Sequence, residues 1–164
     1  MPVTQAASDL ASRTITFVAE VPAPIEELWR IWADPRVLER WWGPPGFPAT
    51  VEAHELRPGG IVRYRMTGPD GQAHSGWWEV LTVDAPTRLE FRDGFGDSPG
   101  EASGDLPVTV TDVDLAPCGG GGTRMTLTGR YASAEALQQM LAMGALEGTR
   151  QALEQLDSLF ALEP

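Results

Sequence analysis

The sequence predicts an α+β fold: a twisted antiparallel β-sheet wrapped around a long C-terminal α-helix, with two short helices after the first strand. Three observations carry this. From Ala49 to Tyr131 the chain runs as short alternating stretches separated by glycine, proline and aspartate turns, the pattern of an antiparallel meander. Ser133 to Phe160 has the apolar period of one helix of about seven turns. That helix is the one stretch long and apolar enough to cover the concave face of such a sheet.

The first 13 residues, MPVTQAASDLASR, have no apolar core of a secretory signal and are expected to form a disordered tail, with a single domain over 14–162. Thr14 to Val21 alternates Ile15, Phe17, Ala19 and Val21 against Thr16, Val18 and Glu20, a strand with one buried face. Pro22 ends it. Ile25, Leu28, Trp29 and Trp32 follow at helical spacing. A second short helix is expected from Asp34 to Trp42, with Asp34 as N-cap and Pro35 in its first position. Gly43 to Pro48 is a loop.

Strands then follow over 49–56, 61–67, 74–83, 88–92, 106–117 and 123–131. Turns at Arg57–Gly60, Gly68–Gly71 and Asp84–Pro86 and an acidic, glycine-rich loop from Asp93 to Asp105 separate the first five. The Gly119–Gly122 run opens a strand and not a helix, so it is a hairpin turn rather than a phosphate loop.

In the C-terminal stretch Ser133 is the N-cap. Leu137, Leu141, Ala145, Ala152, Leu156 and Leu159 share one face; Met143, Glu147, Arg150, Glu154 and Asp157 share the other. Gly144 and Gly148 lie on or beside the apolar face. Each costs about 1 kcal/mol relative to alanine inside a helix. The helix is therefore expected to keep them to admit another backbone or to leave a space, with a cavity beside Gly144.

The 164 residues suit one domain, and a net charge of -11 with scattered basic residues argues against nucleic-acid partners and anionic membrane surfaces. Cys118 is the only cysteine, so no intrachain disulfide forms and a cytoplasmic location is expected. Two histidines and no HExxH or CxxC pattern leave no metal or other cofactor expected. Ser75 lacks the G-x-S-x-G context of a nucleophile elbow.

RWWGPPGFP (Arg40 to Pro48), LRPGG (Leu56 to Gly60), GPDG, SGWWEVLTVDAPTRLEF (Ser75 to Phe91) and AMGALEGTRQALEQLDSL (Ala142 to Leu159) resemble bacterial members of the SRPBCC (START-like) superfamily. The branch is the one named after homologues of the heat-shock-protein-90 ATPase activator. The resemblance spans about 14–162. It implies the helix-grip fold, with a cavity between sheet and helix. It also implies a function among binders of lipids, hormones and other hydrophobic ligands, with some cyclases and aromatases.

Six tryptophans are the most unusual feature of the composition. Trp29 and Trp32 suit core packing. Only one of Trp77 and Trp78 can face the interior of a strand. Trp42, beside the GPPG loop, is placed to line an entrance. Tyr64 and Met66 are expected to point inward, because Arg63 and Arg65 occupy the other face. Glu52, His54 and Leu56 alternate onto one face; either they look into the cavity or Val51 and Ala53 do.

The expected ligand-binding set is Trp42, Phe47, His54, Tyr64, Met66, Trp78, Phe91, Leu137, Met140, Leu141 and Gly144, taking a hydrophobic small molecule without catalysis. Two other functions remain open from sequence. One is a cyclase-, aromatase- or hydrolase-like enzyme using Glu52, His54 or Tyr64 as acid–base groups. The other is an interaction module, a homodimer or a chaperone partner, presenting Trp41 or the Phe95 loop.

Overall fold

The computed structural model describes residues 2–96 and 107–160. Chain order is β1 (Val3–Asp9), β2 (Thr14–Val21), α1 (Ile25–Ala33), α2 (Pro35–Leu38), β3 (Ala49–His54), β4 (Ile61–Thr67), β5 (Ala73–Asp84) and β6 (Arg88–Phe95). Then come β7 (Thr109–Cys118), β8 (Gly122–Arg130), α3 (Ala134–Ala142), α4 (Ala145–Glu154) and α5 (Leu156–Phe160). One antiparallel eight-stranded sheet runs in the order β1-β2-β8-β7-β6-β5-β4-β3. The helices cover its concave face, giving the α+β helix-grip fold.

Alternation decides which side chains reach that face. Phe17 pairs with Leu127, Leu127 with Val113, Val113 with Leu89, and Leu89 with Val83, so one apolar row crosses five strands. The convex face carries the charges. Arg88 and Arg130 both pair with Asp112, and Arg130 also with Glu90 at 3.2 Å. Trp77 lies on the convex side over Gly94, with its indole N–H donated to the Phe95 carbonyl at 3.0 Å. Its neighbour Trp78 is the one that faces inward.

The two short helices form as expected. Asp34 caps α2 by accepting the Arg36 amide at 2.9 Å, with Pro35 in the first position. Regular helix stops at Leu38, however, and Trp41 and Trp42 stand on the turn that follows.

Three expectations need correction. The segment expected as a disordered tail, 1–13, contains β1, an edge strand paired with β2. Backbone pairing tolerates a polar strand, and Val3 and Ala6 still pack on the core. The Val3 amide is held by the Glu154 carboxylate of α4 at 3.0 Å.

The C-terminal stretch is three helices, not one. Ser133 caps α3 through the Ala136 amide at 3.0 Å. Gly144 then takes a left-handed conformation, φ 88°, that ends α3 and starts α4. Only glycine adopts this without steric cost. Gln155 marks the second break, and its side-chain amide donates to the carbonyls of Trp41 (3.1 Å) and Gly43 (2.7 Å).

Finally, the strand alternation fails in β3. A bulge at Glu52 shifts the register between Val51 and Ala53, since Val51 faces Tyr64 and His54 faces Val62. Val51 and His54 therefore share the inward face, and Glu52 turns to solvent, where it pairs with Arg65 at 3.1 Å. Neither of the two alternations read from the sequence describes this strand.

Candidate functional site

Two adjoining cavities lie between the concave sheet and the helices. The first, about 130 Å³, is walled by Ile15 and Phe17 of β2, Asp93 of β6, Thr109 and Thr111 of β7, Leu127 and Gly129 of β8, and Tyr131. Trp42, Met140, Ala145 and Thr149 close it. The second, about 220 Å³, is bounded by the same last four residues together with Trp41, Pro44, Met66, Phe95, Gly148 and Ala152. An apolar cavity of about 150 Å³ admits a benzene ring, so the two lobes match bodies of one or two rings.

Local sequence explains the space. Along α4, Ala145, Gly148, Thr149 and Ala152 recur at helical i, i+3, i+4 and i+7 positions, and all four line the cavity. That helix face is made of small side chains. A Cβ added at Gly148 meets no atom within 4 Å. On the sheet side Gly129 stands where a side chain would otherwise enter the first lobe.

Next to the cavity the packing is dense and aromatic. Trp78 stacks on Phe91 with centroids 4.1 Å apart, and Trp42 meets Trp78 edge-on at 4.9 Å. The Tyr64 ring lies over Gly76, where a Cβ would come within 2.4 Å of it. Three indole donors are satisfied: Trp41 donates to the Ile31 carbonyl at 3.0 Å, Trp32 to the Met125 sulfur at 3.4 Å and Trp77 to the Phe95 carbonyl. The Trp42 and Trp78 N–H groups are not. Both are buried, and both come near the Tyr64 hydroxyl without closing a hydrogen bond.

Asp93 is the ionisable group on the cavity wall that stands out. Its carboxyl accepts one hydrogen bond, from the Thr111 hydroxyl at 2.9 Å. Burial pushes it up to about 7, against the pull of that hydrogen bond. Tyr64 is pushed far up as well, first by burial and then by the negative charge of Asp93. Tyr131 is raised mainly by burial, with Asp93 adding to it. Burial thus favours the neutral form of all three.

The expected site residues fall into groups. Trp42, Met66 and Met140 line the cavity. Trp78, Phe91 and Tyr64 are buried in the aromatic layer next to it. Leu137 is fully buried and Leu141 packs against the core, neither on the cavity wall. Phe47 is exposed and its ring lies over Gly68. His54 places Nε2 2.9 Å from the Trp32 carbonyl at the end of α1, and so serves that helix end.

Gly144 is exposed and lines neither lobe; conformation, not space, requires glycine there, and the open position is Gly148. Glu52, His54 and Tyr64 do not converge, since Glu52 faces solvent. Trp41, expected at a surface, is fully buried. Among the described residues no three His, Cys, Asp or Glu side chains group as a metal site, and no helix is long and apolar enough to cross a membrane.

Asp93 was hidden by its place in an acidic stretch. Yet Leu89, Phe91 and Asp93 alternate in RLEFRDGF, so extending the strand by three residues puts the carboxylate on the cavity face. The rest of that acidic loop, from residue 97 on, lies outside the described residues.

This geometry agrees with what the chain is similar to. The family model described as activator of Hsp90 ATPase homolog 1-like protein matches residues 22–161. The chain belongs to this family. A crystal structure of a Mycobacterium smegmatis protein is 49% identical, covers 99% of each chain and superposes with a TM-score of 0.89. A solution structure of an Arthrobacter aurescens protein is 45% identical over 98% of this chain and 93% of its own, with a TM-score of 0.92. A Rhodobacter sphaeroides protein shares the fold at 24% identity over 97% of this chain and 99% of its own, with a TM-score of 0.82. No curated protein matches the sequence. Membership of the activator-homologue family, with its START-like fold, supports a ligand-binding or activator-like role.

Proposed function

We propose that this member of the activator-homologue family binds a small, mainly apolar molecule in the space between the concave sheet face and α3 and α4. One observation carries the proposal. A buried polar group lies unsatisfied on the cavity wall: among the described residues the Trp42 indole N–H has no hydrogen-bond partner, and the half-buried Asp93 carboxyl on the same wall accepts a single hydrogen bond. A core built only for stability pairs such groups, because each orphaned one costs about 1–3 kcal/mol. A ligand with one or two polar atoms on a hydrocarbon body offers what the protein leaves open.

The small residues along α4 give the same body its room. Function then amounts to burial of the apolar part against Trp42, Met66, Met140 and Phe17, with polar contacts at the Asp93 end. Screening hydrophobic molecules of one to three rings by thermal shift and tryptophan fluorescence tests this. A true ligand at a hundred times its Kd stabilises by about 2.7 kcal/mol, and it changes the emission of Trp42. A flat response across the whole set would overturn the proposal.

A further inference from the structure

We infer that the ligand is an amine whose ammonium group docks on the Asp93 carboxylate while its hydrocarbon body occupies the lobe beside Gly148. This rests on the ligand-binding reading above and adds the chemical class.

Charge balance within the cavity points to it. A carboxylate has about four acceptor sites, and Asp93 uses one, for Thr111. Among the described residues no arginine or histidine lines either lobe. The arginines on the neighbouring strand positions turn the other way. Arg92 pairs with Glu79 on the convex face, and Arg88 and Arg130 pair with Asp112 there.

The groups that share the cavity with Asp93 can be taken element by element. β7 offers the Thr109 and Thr111 hydroxyls. β4 contributes Tyr64 from the aromatic layer next to the cavity, where it feels the Asp93 charge, and Tyr131 follows β8 on the cavity wall. The helices present Met140, Ala145 and Thr149. The two tyrosines are the ionisable members, and ionisation makes them negative, so among the described residues no cation faces Asp93.

Three ligand classes can then be separated. A carboxylate or phosphate ligand meets a like charge and no basic residue. A neutral alcohol can donate one hydrogen bond but leaves the carboxyl preferring its protonated form. A protonated amine supplies up to three donors and the opposite charge, at a site where burial makes the pairing strong. Trp42 and Tyr131 line the same lobe, and aromatic rings attract a cation that lies over their faces. The net charge of -11 raises the local concentration of cations over anions.

Binding must also be linked to pH. Burial holds the empty carboxyl protonated up to about pH 7, and an ammonium requires the ionised form. Amine affinity should therefore fall about tenfold for each pH unit below that point.

The test is isothermal titration calorimetry on the full chain with a matched set: 2-phenylethylamine, 2-phenylethanol and 3-phenylpropionate, then 1-naphthylmethylamine and 1-naphthalenemethanol. The expected result is that each amine binds at least tenfold more tightly than its alcohol at pH 8, that this preference shrinks at pH 6, and that the acid binds most weakly. Asp93→Asn should abolish the preference while retaining alcohol binding; should that variant fail to fold, the pH comparison on the unaltered chain decides alone. If alcohols bind as well as amines, or the acid binds best, the amine inference is overturned while ligand binding stands. If nothing in the set binds, the inference is overturned, and the broader hydrophobic screen decides whether the ligand-binding reading falls with it.

Discussion

The concave face of one sheet behaves differently at its two ends. Under α1 and α2 it is filled: Trp32, Trp41, Trp78 and Phe91 are at most 1% exposed and contact one another edge-on, tilted or stacked. Under α4 it is hollow, because the helix face there offers Ala145, Gly148, Thr149 and Ala152. Large side chains from short helices make the solid end; small side chains from a longer helix make the open one. Trp42 stands at the boundary, touching Trp78 on one side and both lobes on the other. Dense packing is thus concentrated away from the proposed binding site, and substitutions at the open end are expected to leave the sheet folded.

Substitutions in the two ends should separate accordingly. Trp32→Ala or Trp78→Ala, in the filled end, should cost about 3–5 kcal/mol in urea unfolding. Cavities made in a dense layer collapse poorly, and a loss under 1 kcal/mol would show that this end is not packed as described.

Asp93→Asn probes the open end through pH. The folded carboxyl titrates near 7, well above the ordinary 3.8. Between those values the folded chain holds a proton that the unfolded chain has released, so stability falls as pH rises from 4 to 7 and levels off above. Asparagine removes that fall. The variant should gain on the order of 4 kcal/mol relative to the parent between pH 4 and pH 8. Parallel pH profiles for the two proteins would mean that Asp93 is solvated.

The two glycines of the C-terminal region distinguish conformation from space. Gly144→Leu should cost about 1–2 kcal/mol, because φ is 88° there and the side chain would point to solvent. Gly148→Leu should stay within about 1 kcal/mol of the parent, since helix propensity improves by a similar amount and the new side chain enters open space. At the far end of the scale, Glu52→Gln should change stability by no more than about 0.5 kcal/mol, as expected for its half-exposed pair with Arg65.

The fold was legible to a large degree. Period-2 alternation gave β2 and the six later strands, and the Asp34-Pro35 pair gave the α1–α2 break. Hydrophobic period found the C-terminal helical region but could not divide it: Gly144 fits the apolar stripe and also fits a left-handed turn, and only the backbone angle tells which. β1 escaped because an edge strand is held by backbone pairing and needs little apolar pattern. The site was legible in part. Met66 follows from strand alternation and Trp42 from its place beside the GPPG loop. Glu52 and His54 do not, because a one-residue bulge exchanges faces without a sequence mark. Asp93 was misplaced because a carboxylate at a strand end resembles the loop beyond it.

The central claim is that the space under α4 is a binding site, and Gly148 offers the most direct test of it. Unaltered protein and Gly148→Leu should be compared by thermal shift against the same panel of hydrophobic one- to three-ring molecules. The expected result is an unliganded melting temperature that barely moves and a ligand-induced rise that disappears in the variant. An equal rise in both proteins would place the ligand elsewhere and contradict the account.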